Sequence, residues 1–379
     1  MLVLAYESPV PPHGGTRLRL LHLARALARD ARVTVIARGD VGDAAGEPFH
    51  LEGVPHPRSR ARALVASLRR PYLAGLHESP GLDRRAAATP CDIVQVSSVF
   101  FLDAARVTGA PIVLDAHNVE ADVMATLAAG EARPWARWRW EWEARKLERV
   151  ERAAAGAVDA VVTTSEEDAA RFRAWGARRV VVVPNGVDTE AVPFAPVTDR
   201  PEIVYVGQYG YRPNERAALE LVDDVLPLVA AEVPEARVRL VGRNPTEALR
   251  QRESPSVEVV GPVADVVPSL HGARVLGVPL RAGSGTRLKI LEAMAAGTPV
   301  VSTPLGAAGI DARPGVDLLL AESPSELAAG ITRVLRDDDL AQGLSAAGRA
   351  LVEARYDWSV LTPGLLSLHA ELREPAAVR

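Results

Sequence analysis

Residues 282–301 read AGSGTRLKILEAMAAGTPVV, and their pattern decides how the second half of the chain folds. The pattern predicts a strand end, a glycine-rich loop over 283–286, a helix, a short turn and a second strand. Arg287 and Lys289 fall in the first helical turn. Bare backbone amides and two cations at a helix N-terminus are typical of a site that binds an anion.

A second interpretation of the same stretch is an ordinary amphipathic helix. Thr286 would then be its N-cap, and Leu288, Leu291 and Met294 would face the core. This interpretation explains the apolar spacing but not the two cations, because the helix dipole disfavours positive charge at that end. A bound anion removes the conflict. Glu292, one turn further along, can accept hydrogen bonds from sugar hydroxyls, so the stretch suits a nucleoside diphosphate sugar.

The composition excludes several classes of protein. A length of 379 residues suits two domains, and 48% hydrophobic residues allow each domain its own core. The net charge of −4 gives no basic field for nucleic acid. The only lysines are Lys146, which we expect to be solvated near Glu143, and Lys289. The single cysteine, Cys91, fits a reducing, cytoplasmic location.

The N-terminal residues MLVLAY predict a buried first strand rather than a signal peptide, because a glutamate and a proline follow almost at once. No apolar run reaches the roughly 18 residues that a membrane-spanning helix needs. We therefore expect any membrane contact to be peripheral, at the inner face.

Short β-branched runs alternate with helical patterns along the chain, which predicts parallel sheets with helices on both faces. The fold class is therefore α/β, with two Rossmann-like doubly wound domains that face a cleft. We predict strands at Leu2–Tyr6, Arg32–Ala37, Asp92–Ser97, Ile112–Asp115, Ala160–Thr164, Val180–Val183, Ile203–Val206, Val238–Val241, Val257–Val260, Val275–Pro279, Val300–Ser302 and Leu318–Leu320.

The stretch Thr189–Pro201 is rich in proline and lacks periodicity, which predicts the domain boundary. The first domain then spans residues 1–195 and the second spans residues 196–356. We expect the last segment, 357–379, to cross back and pack on the first domain. Ligands of such sheets bind at the carboxyl ends of the strands, so the loops there carry the candidate sites.

Two loops of the first domain are candidates. Gly14 and Gly15 follow the first strand and precede a helix, where their amides can face a phosphate or a sugar. The alternative is a plain strand-to-helix turn. His117 follows the fourth strand, between Asp115 and Asn118, and can donate to a sugar hydroxyl. The alternative is a structural histidine with its hydrogen bonds satisfied.

The loop after the first strand of the second domain contains Gly207 and Arg212. It is not a G-x-G-x-x-G fingerprint, but Arg212 can reach a phosphate. The acidic run 337–339 is predicted to be an N-cap and a solvated turn rather than a metal site. The chain contains no Cys/His metal spacing and no G-x-S-x-G motif.

Two stretches, 57–76 and 134–152, are amphipathic and rich in arginine. In the second, Trp135, Trp138 and Trp142 share one helical face. Either stretch can meet anionic lipid headgroups or a lipid-linked acceptor. The alternative is a solvated basic face over a packed apolar one.

Taken together, these segments resemble the family-4 retaining glycosyltransferases of the GT-B fold, also called glycosyl transferases group 1. The core EAMAAGTPVV at 292–301 is the most specific part of the resemblance. The segments that carry it are Pro12–Arg19, Leu114–Glu120, Ala160–Asp168, Val183–Asp188, Gly207–Asn214 and Gly283–Val301.

The resemblance implies that the second domain binds a nucleoside diphosphate sugar and the first binds the acceptor. Glu292 would hold the ribose, and Arg287 and Lys289 would stabilise the departing diphosphate. His117 would contact the donor sugar. Other residues that the resemblance places at the donor are Gly283, Ser284, Gly285, Thr286, Gly207 and Arg212, and those it places at the acceptor or phosphate are Gly14 and Gly15.

The chain departs from the family pattern at Ser284, where the family's paired motif has its first glutamate. The usual arginine–lysine pair after the domain's first strand is also missing, and we expect Arg287 and Lys289 to replace it. No well-placed carboxylate nucleophile is evident. The resemblance therefore implies a same-face substitution in which the leaving phosphate helps to deprotonate the acceptor, with no cofactor and no metal.

Three other functions stay open from the sequence. The first is a nucleotide-sugar epimerase of GT-B fold, which would need acid and base groups in the cleft. The second is a two-domain sugar-binding protein, a class that is usually exported. The third is a natural-product glycosyltransferase rather than an enzyme of cell-envelope polysaccharide or glycoconjugate synthesis. The acceptor can be a carbohydrate, a lipid-linked molecule or a small molecule.

Overall fold

The computed structural model describes residues 1–12, 14–55, 64, 67, 70–131, 133–282 and 287–373. The chain divides into two compact units. The first unit comprises Met1–Asn185 together with the described residues of Leu361–Arg379, and the second comprises Gly186–Val360. Each unit is built around one sheet, in which every strand pair is parallel.

The first unit contains a seven-stranded sheet. Its strands are β1 Leu2–Ala5, β2 Thr34–Arg38, β3 His50–Val54, β4 Val94–Val96, β5 Ile112–Ala116, β6 Ala160–Thr163 and β7 Val180–Val182. Its described helices are α1 Gly15–Leu27, α2 Tyr72–His77, α3 Pro80–Ala87, a 3₁₀ turn Val99–Phe101, α4 Leu102–Arg106, α5 Glu120–Ala129, α6 Pro134–Ala157 and α7 Glu166–Ala174. The strand order β3-β2-β1-β4-β5-β6-β7 reverses direction between β1 and β4, which is the expected ligand position of a doubly wound sheet.

The second unit contains a six-stranded sheet in the order β10-β9-β8-β11-β12-β13. Its strands are β8 Glu202–Val206, β9 Arg237–Val241, β10 Val257–Gly261, β11 Val275–Val278, β12 Val300–Ser302 and β13 Leu319–Leu320. Its described helices are α8 Arg212–Glu220, a π-helical turn Leu221–Val225, α9 Leu226–Glu232, α10 Glu247–Arg250, α11 Val267–His271, α12 Leu288–Ala296, α13 Pro324–Arg336 and α14 Asp338–Arg355. A short helix, α15 Trp358–Leu361, and a longer one, α16 Pro363–Arg373, complete the chain.

Both sheets form because short apolar runs of β-branched residues are buried on both faces, with helices covering them. The twelve predicted strands are present, and their ends differ from the predicted ones by at most two residues. The sequence interpretation missed β3, whose residues HLEGV show no apolar run. This strand lies at the sheet edge, where it pairs with β2 alone. An edge strand is less buried than a central one, so it can form without a continuous apolar run.

The division between the units falls at Asn185/Gly186, earlier than the predicted 195/196. The residues that follow Gly186 are bonded to the second unit. The amide of Val187 donates to the Tyr356 carbonyl at 2.9 Å, and the amide of Ala195 donates to the Ala296 carbonyl at 3.0 Å. These bonds place the proline-rich stretch with the second unit. The chain returns to the first unit at Leu361, where α16 lies.

Lys146 is buried on α6, so the expectation that it is solvated is wrong. Its ammonium donates to the carbonyls of Ser67 and Arg70 and forms an ion pair with Glu143. The Glu143 carboxylate in turn accepts from the amide of Tyr72 at 2.9 Å. Sequence reasoning missed this because the carbonyls that surround the lysine belong to a distant segment.

Within the described part of the chain, no helix combines the length and the apolar character that crossing a bilayer requires.

Candidate functional site

The carboxyl edge of the second sheet begins with a close approach of two loops. Gly207 follows β8, and its amide donates a 3.0 Å hydrogen bond to the Val241 carbonyl. At Gly242 the backbone has φ 145°, and an added Cβ would lie 1.7 Å from the Gly207 carbonyl oxygen. Only glycine fits there. The Gly207 amide is therefore engaged by the Val241 carbonyl.

Helix α12 presents its N-terminus at the same edge, after β11. Arg287 immediately precedes the helix, and Lys289 is its second residue. The first turn contains no acidic residue, so nothing within the helix compensates the positive end of its dipole. Gly297 ends the helix in the left-handed conformation, with φ 88°. The helix begins at Leu288 with Arg287 as its N-cap, one residue later than an N-cap at Thr286 would give.

Four predicted donor residues lie outside the described residues. They are Gly283, Ser284, Gly285 and Thr286.

Lys289 is held by uncharged partners. Its Nζ lies 3.0 Å from the Tyr205 hydroxyl and 3.0 Å from the Asn214 Oδ1, and 4.1 Å above the Tyr205 ring. The Tyr205 hydroxyl donates to the same Asn214 oxygen at 3.0 Å. Burial, followed by repulsion from Arg287, lowers the pKa of Lys289 to about 7, although Glu292 opposes the shift. An anion bound here would favour the charged ammonium.

Arg287 and Glu292 share this environment. Burial lowers the pKa of Arg287 from its ordinary value, while Tyr211 and Tyr205 oppose that shift. Burial raises the pKa of Glu292 to about 7; Lys289 opposes the rise. Among the described residues, no group donates a hydrogen bond to the Glu292 carboxyl. The edge therefore combines two cations with one carboxyl that accepts no hydrogen bond from the residues that the structure describes.

Arg212 is the first residue of α8 and is exposed at this edge. Asn214, two residues later, supplies the contact with Lys289. Sequence reasoning missed both Asn214 and Tyr205. The available signal was their position: Tyr205 is near the carboxyl end of a buried strand, and Asn214 lies in the first turn of the helix that follows.

The first unit has a second glycine loop. Gly14 precedes α1 with φ 96°, a conformation that favours glycine, and Gly15 is the first helical residue. The neighbouring cations are already compensated. Arg17 forms an ion pair with Glu7 at 2.5 Å, and the nearly fully buried Arg19 pairs with Asp115 at 2.7 Å. These ion pairs leave both arginines less available to a phosphate.

His117 follows β5 at the carboxyl edge. Its Nε2 lies 3.5 Å from the Asp115 Oδ2 and, within the described residues, makes no hydrogen bond. Burial lowers the pKa of His117, and Arg19 adds to this effect against the attraction of Asp115. Burial is the largest single influence on Asp115 and would raise its pKa, but the charges of Arg19, His117 and His369, together with the hydrogen bond from Arg19, lower the pKa overall. Burial therefore favours the neutral form of this imidazole, whose Nε2 is itself buried.

A pocket of about 270 Å³ opens beside His117 in the first unit. Polar, aromatic and aliphatic side chains from the loops after β1, β4 and β5 contribute to it. The lining residues are Tyr6, Thr16, Leu73, His77, Ser97, Ser98, Val99, Phe100, Leu114, Ala116, His117, Asn118, Glu120 and Glu151. Thr16 places the pocket next to the Gly14–Gly15 turn.

The acidic run 337–339 caps a helix, as predicted. The Asp337 side chain accepts from the Leu340 amide at 2.9 Å, and Asp338 forms an ion pair with Arg274. No group of three or more His, Cys, Asp or Glu side chains in the described residues is arranged to hold a metal ion.

The structure therefore brings the predicted residues into two groups. In the second unit, Arg287, Lys289 and Glu292 lie at the N-terminal end of α12. Lys289 contacts Tyr205 of β8 and Asn214 of α8. In the first unit, His117 and the Gly14–Gly15 turn lie beside one pocket.

Solved structures resemble the whole chain in fold. Anabaena Alr3699/HepE in complex with UDP-glucose gives a TM-score of 0.71 at 16% identity, covering 98% of this chain and 99% of that one. Sucrose-phosphate synthase from Thermosynechococcus elongatus also gives 0.71, at 19% identity, covering 98% and 99%. At such identities the likeness concerns the fold alone. Two parallel doubly wound sheets of this kind define the GT-B class of glycosyltransferases.

Family models assign the chain more narrowly. Residues 13–191 match Glycosyltransferase Family 4, and residues 200–337 match Glycosyl transferases group 1. Together the two matches span most of the chain, which belongs to glycosyltransferase family 4. This confirms the resemblance and the fold class that the sequence motifs indicated.

Curated relatives match part of the chain. A phosphatidyl-myo-inositol mannosyltransferase of Mycobacterium leprae is 31% identical over 201 residues, which cover 50% of this chain and 53% of that protein. A glycogen synthase of Mycobacterium tuberculosis is 25% identical over 268 residues, covering 66% and 63%. The matches thus span about half to two thirds of the length of these relatives.

Proposed function

We propose that this chain transfers a hexosyl-type sugar from a nucleoside diphosphate sugar to an acceptor hydroxyl, with retention of configuration and without a metal. The observation that carries the proposal is Lys289, an ammonium held by two uncharged oxygen partners beside Arg287 at the start of α12. Two cations and a helix N-terminus suit a diphosphate, which is the part of the donor that gains negative charge.

The remaining donor contacts follow from the positions of Glu292 and His117. The Glu292 carboxyl, one turn beyond Lys289, is assigned to the ribose hydroxyls because nothing described donates to it. His117 is assigned to a hydroxyl of the transferred sugar because its buried Nε2 has no hydrogen-bond partner in the described part of the chain. A neutral imidazole suits that role better than an imidazolium, which would repel the positive charge developing on the sugar.

In the proposed step, the bond between the anomeric carbon and the diphosphate oxygen breaks, and its electron pair leaves with the diphosphate. The acceptor oxygen bonds to the same face of the anomeric carbon, and its proton passes to a phosphate oxygen. The products are the glycosylated acceptor and the nucleoside diphosphate. Arg287 and Lys289 stabilise the departing charge, and removing one such donor typically costs about 3 kcal/mol of transition-state stabilisation.

The names of similar proteins support a proposal for the classes of donor and acceptor. A UDP-glucose complex exists for a structural neighbour, and relatives are named for mannosyl transfer to phosphatidyl-myo-inositol. By analogy we propose a nucleoside diphosphate hexose as donor and a lipid-linked or carbohydrate acceptor, in cell-envelope glycoconjugate synthesis.

A two-stage experiment tests the proposal. A thermal-shift screen of the whole chain with UDP, GDP, ADP and dTDP identifies the base, and the matching sugar nucleotide is then incubated with candidate acceptors in EDTA. Proton NMR of the product should show the anomeric configuration of the donor. An inverted product would contradict the retaining mechanism. Activity lost in EDTA and restored by a divalent ion would contradict the metal-free one, and epimerised donor without acceptor would favour an epimerase.

We further propose that a tryptophan face on α6 holds the enzyme at an anionic membrane. Trp135, Trp138 and Trp142 form this face and are 64%, 62% and 39% exposed. Trp138 and Trp142 stack at 6.1 Å. Three indole rings exposed to water on one helical face are unfavourable because apolar surface is left in contact with water. At the interface of a bilayer, tryptophan side chains are favoured.

Charge supports the same assignment. Arg139, Arg145 and Arg149 lie exposed on α6, and none of them forms an ion pair within the described residues. Each arginine near an anionic surface contributes about 1 kcal/mol.

Sedimentation with phosphatidylglycerol vesicles tests the membrane proposal, with phosphatidylcholine vesicles as the neutral reference. The double variant Trp135→Ser/Trp138→Ser should lose most of its binding to anionic vesicles. Leu228→Ser, which alters an exposed apolar residue of the second unit (47% exposed), should bind as the wild type does. Equal sedimentation of all three proteins, or none with anionic lipid, would refute the contact.

A further inference from the structure

Arg19 carries a buried charge that the proposed transfer step does not use. It lies on α1, about one helical turn beyond the Gly14–Gly15 turn, and is 1% exposed. A buried guanidinium is costly unless its donors are paired. The donors of Arg19 reach two other elements of the first unit, the carboxyl end of β5 and the segment that follows β7.

The first partner of Arg19 is the carboxylate of Asp115, the fourth residue of β5. Arg19 Nη2 donates to Asp115 Oδ1 at 2.7 Å, and Nε donates to the same oxygen at 3.1 Å. The other oxygen, Oδ2, lies 3.4 Å from Arg19 Nε and 3.5 Å from His117 Nε2. The carboxylate therefore contacts the guanidinium and also faces the imidazole, so that its position next to His117 is fixed by Arg19.

The second set of partners follows β7. Arg19 Nη1 donates to the Val183 carbonyl at 2.6 Å, and it lies 3.4 Å from both the Pro184 carbonyl and the Asn185 Oδ1. These residues directly precede the point where the chain passes into the second unit. One side chain thus connects α1, the end of β5 and the segment 183–185. A planar guanidinium can make this set of bonds, whereas a lysine ammonium cannot reproduce its geometry.

The charges near His117 come from several elements. Burial lowers the pKa of His117 most; Asp115 on β5 opposes this effect and Arg19 on α1 adds to it. The other titratable groups that line the adjoining pocket or act on Asp115 are His77 of α2, Glu120 of α5, Glu151 of α6 and His369 of α16. Within this arrangement, Arg19 supplies the positive charge that offsets the nearest carboxylate.

We propose that Arg19 is a positioning residue for the transfer step, because it fixes His117 relative to the Gly14–Gly15 turn. It does so through its bonds to Asp115 and to the segment 183–185. It also offsets the charge of Asp115, so that this carboxylate does not draw a proton onto the imidazole. The inference rests on the proposed function only in assigning His117 to the transferred sugar. A displacement of about 1 Å at a reacting centre can cost about a hundredfold in rate.

Proton NMR of the histidine rings in the full chain tests the effect of charge without donor or acceptor. The His117 signal is assigned by its absence from His117→Asn. Arg19→Met leaves Asp115 uncompensated, so the midpoint of the His117 titration should rise by about one pH unit or more. Asp115→Asn removes the attraction and should lower the midpoint below that of the wild type. A local loss of structure would instead move both midpoints toward the ordinary histidine value of about 6.5.

A double variant keeps the test decisive if Arg19→Met does not fold. Arg19→Met/Asp115→Asn removes both charges and leaves no buried ion without its partner. Its midpoint should lie above that of Asp115→Asn, because the repulsion by Arg19 is then absent. Thermal melting establishes which variants are folded.

Two further variants separate geometry from charge. Arg19→Lys keeps the charge but not the planar fork, so its midpoint should stay near that of the wild type while kcat falls about tenfold or more. The matched control is Arg25→Met on the same helix. Arg25 donates to both oxygens of Glu47 at 2.8 Å but is 42% exposed, and its loss should change neither the midpoint nor kcat.

Equal midpoints in wild type, Asp115→Asn and the double variant would overturn the inference, as would an Arg19→Lys enzyme with the kcat of the wild type. Calorimetry with nucleoside diphosphates reports separately on the α12 site, where every Arg19 variant should bind as the wild type does. Midpoints that move as expected in a protein that transfers no sugar would remove the proposed function alone. Sugar transfer by the wild type together with equal midpoints would remove the inference alone.

Discussion

The ionisation of Lys289 makes diphosphate binding depend on pH, and this is the sharpest consequence of the second-unit site. The pKa of Lys289 is about 7 in the free protein. Between about pH 6 and about pH 8, its protonated fraction therefore falls from roughly nine tenths to roughly one tenth. A bound diphosphate favours the ammonium, so the complex keeps a proton that the free protein has lost. Affinity accordingly decreases as the pH rises through about 7.

The magnitude follows from the same fractions. If the complex stays protonated throughout, the association constant falls about tenfold, or about 1.4 kcal/mol, between these pH values. Glu292 acts in the opposite direction on nucleotides, because its pKa is also about 7 and its ionised form is the better acceptor for ribose hydroxyls. Pyrophosphate has no ribose and isolates the effect of the lysine.

Isothermal titration calorimetry with pyrophosphate measures the effect, with Lys289→Met as the matched variant. The ligand's own titration is common to both proteins, so the difference between their pH profiles belongs to Lys289. We expect the wild type to lose affinity about tenfold more steeply than the variant. Parallel profiles would refute the reasoning, because the lysine would then contribute no charge to the bound state.

Three further outcomes are expected. Glu292→Gln should weaken nucleoside diphosphate binding more than pyrophosphate binding in calorimetry, and equal losses would remove the ribose contact. Arg287→Ala should lower turnover by about 3 kcal/mol of transition-state stabilisation in steady-state kinetics, and an unchanged rate would exclude the arginine from the step. Burial raises the pKa of Glu151 to about 8 from an ordinary 4.5, so the folded chain binds more protons than the unfolded chain between these values. Stability contributed by this group is thus complete below 4.5 and lost as the pH rises through about 8. Glu151→Gln should flatten that decline in thermal melting, and an unaltered pH profile would contradict the assignment.

The sequence predicts the framework well where burial is continuous. Strand β12 and helix α12 are recognisable because the apolar residues of TPVV (298–301) and LKILEAMAA (288–296) pack into the core of the second unit. The edge strand β3 carries no such signal, since it is only partly buried and needs one neighbour. The buried Lys146 shows the same limit, because a local helical pattern does not reveal which distant carbonyls will surround a side chain.

Only those parts of the candidate site that are contiguous in sequence could be predicted, because a local pattern does not show which distant residues become neighbours. The glycine loop and the cations at α12 are contiguous in sequence, so their chemistry can be inferred from the pattern. The partners of Lys289 lie 84 and 75 positions away, at Tyr205 and Asn214, and become neighbours only when β8 and β11 pair. Arg19 and Asp115 are 96 positions apart and look like independent polar residues until the first sheet forms.

A crystal structure of the chain with the nucleoside diphosphate that stabilises it most tests the central claim directly. Phosphate oxygens should lie within hydrogen-bond distance of Lys289 Nζ and the Arg287 guanidinium, and ribose hydroxyls should lie at the Glu292 carboxyl. A nucleotide bound elsewhere, with Lys289 still held by Tyr205 and Asn214 alone, would contradict it.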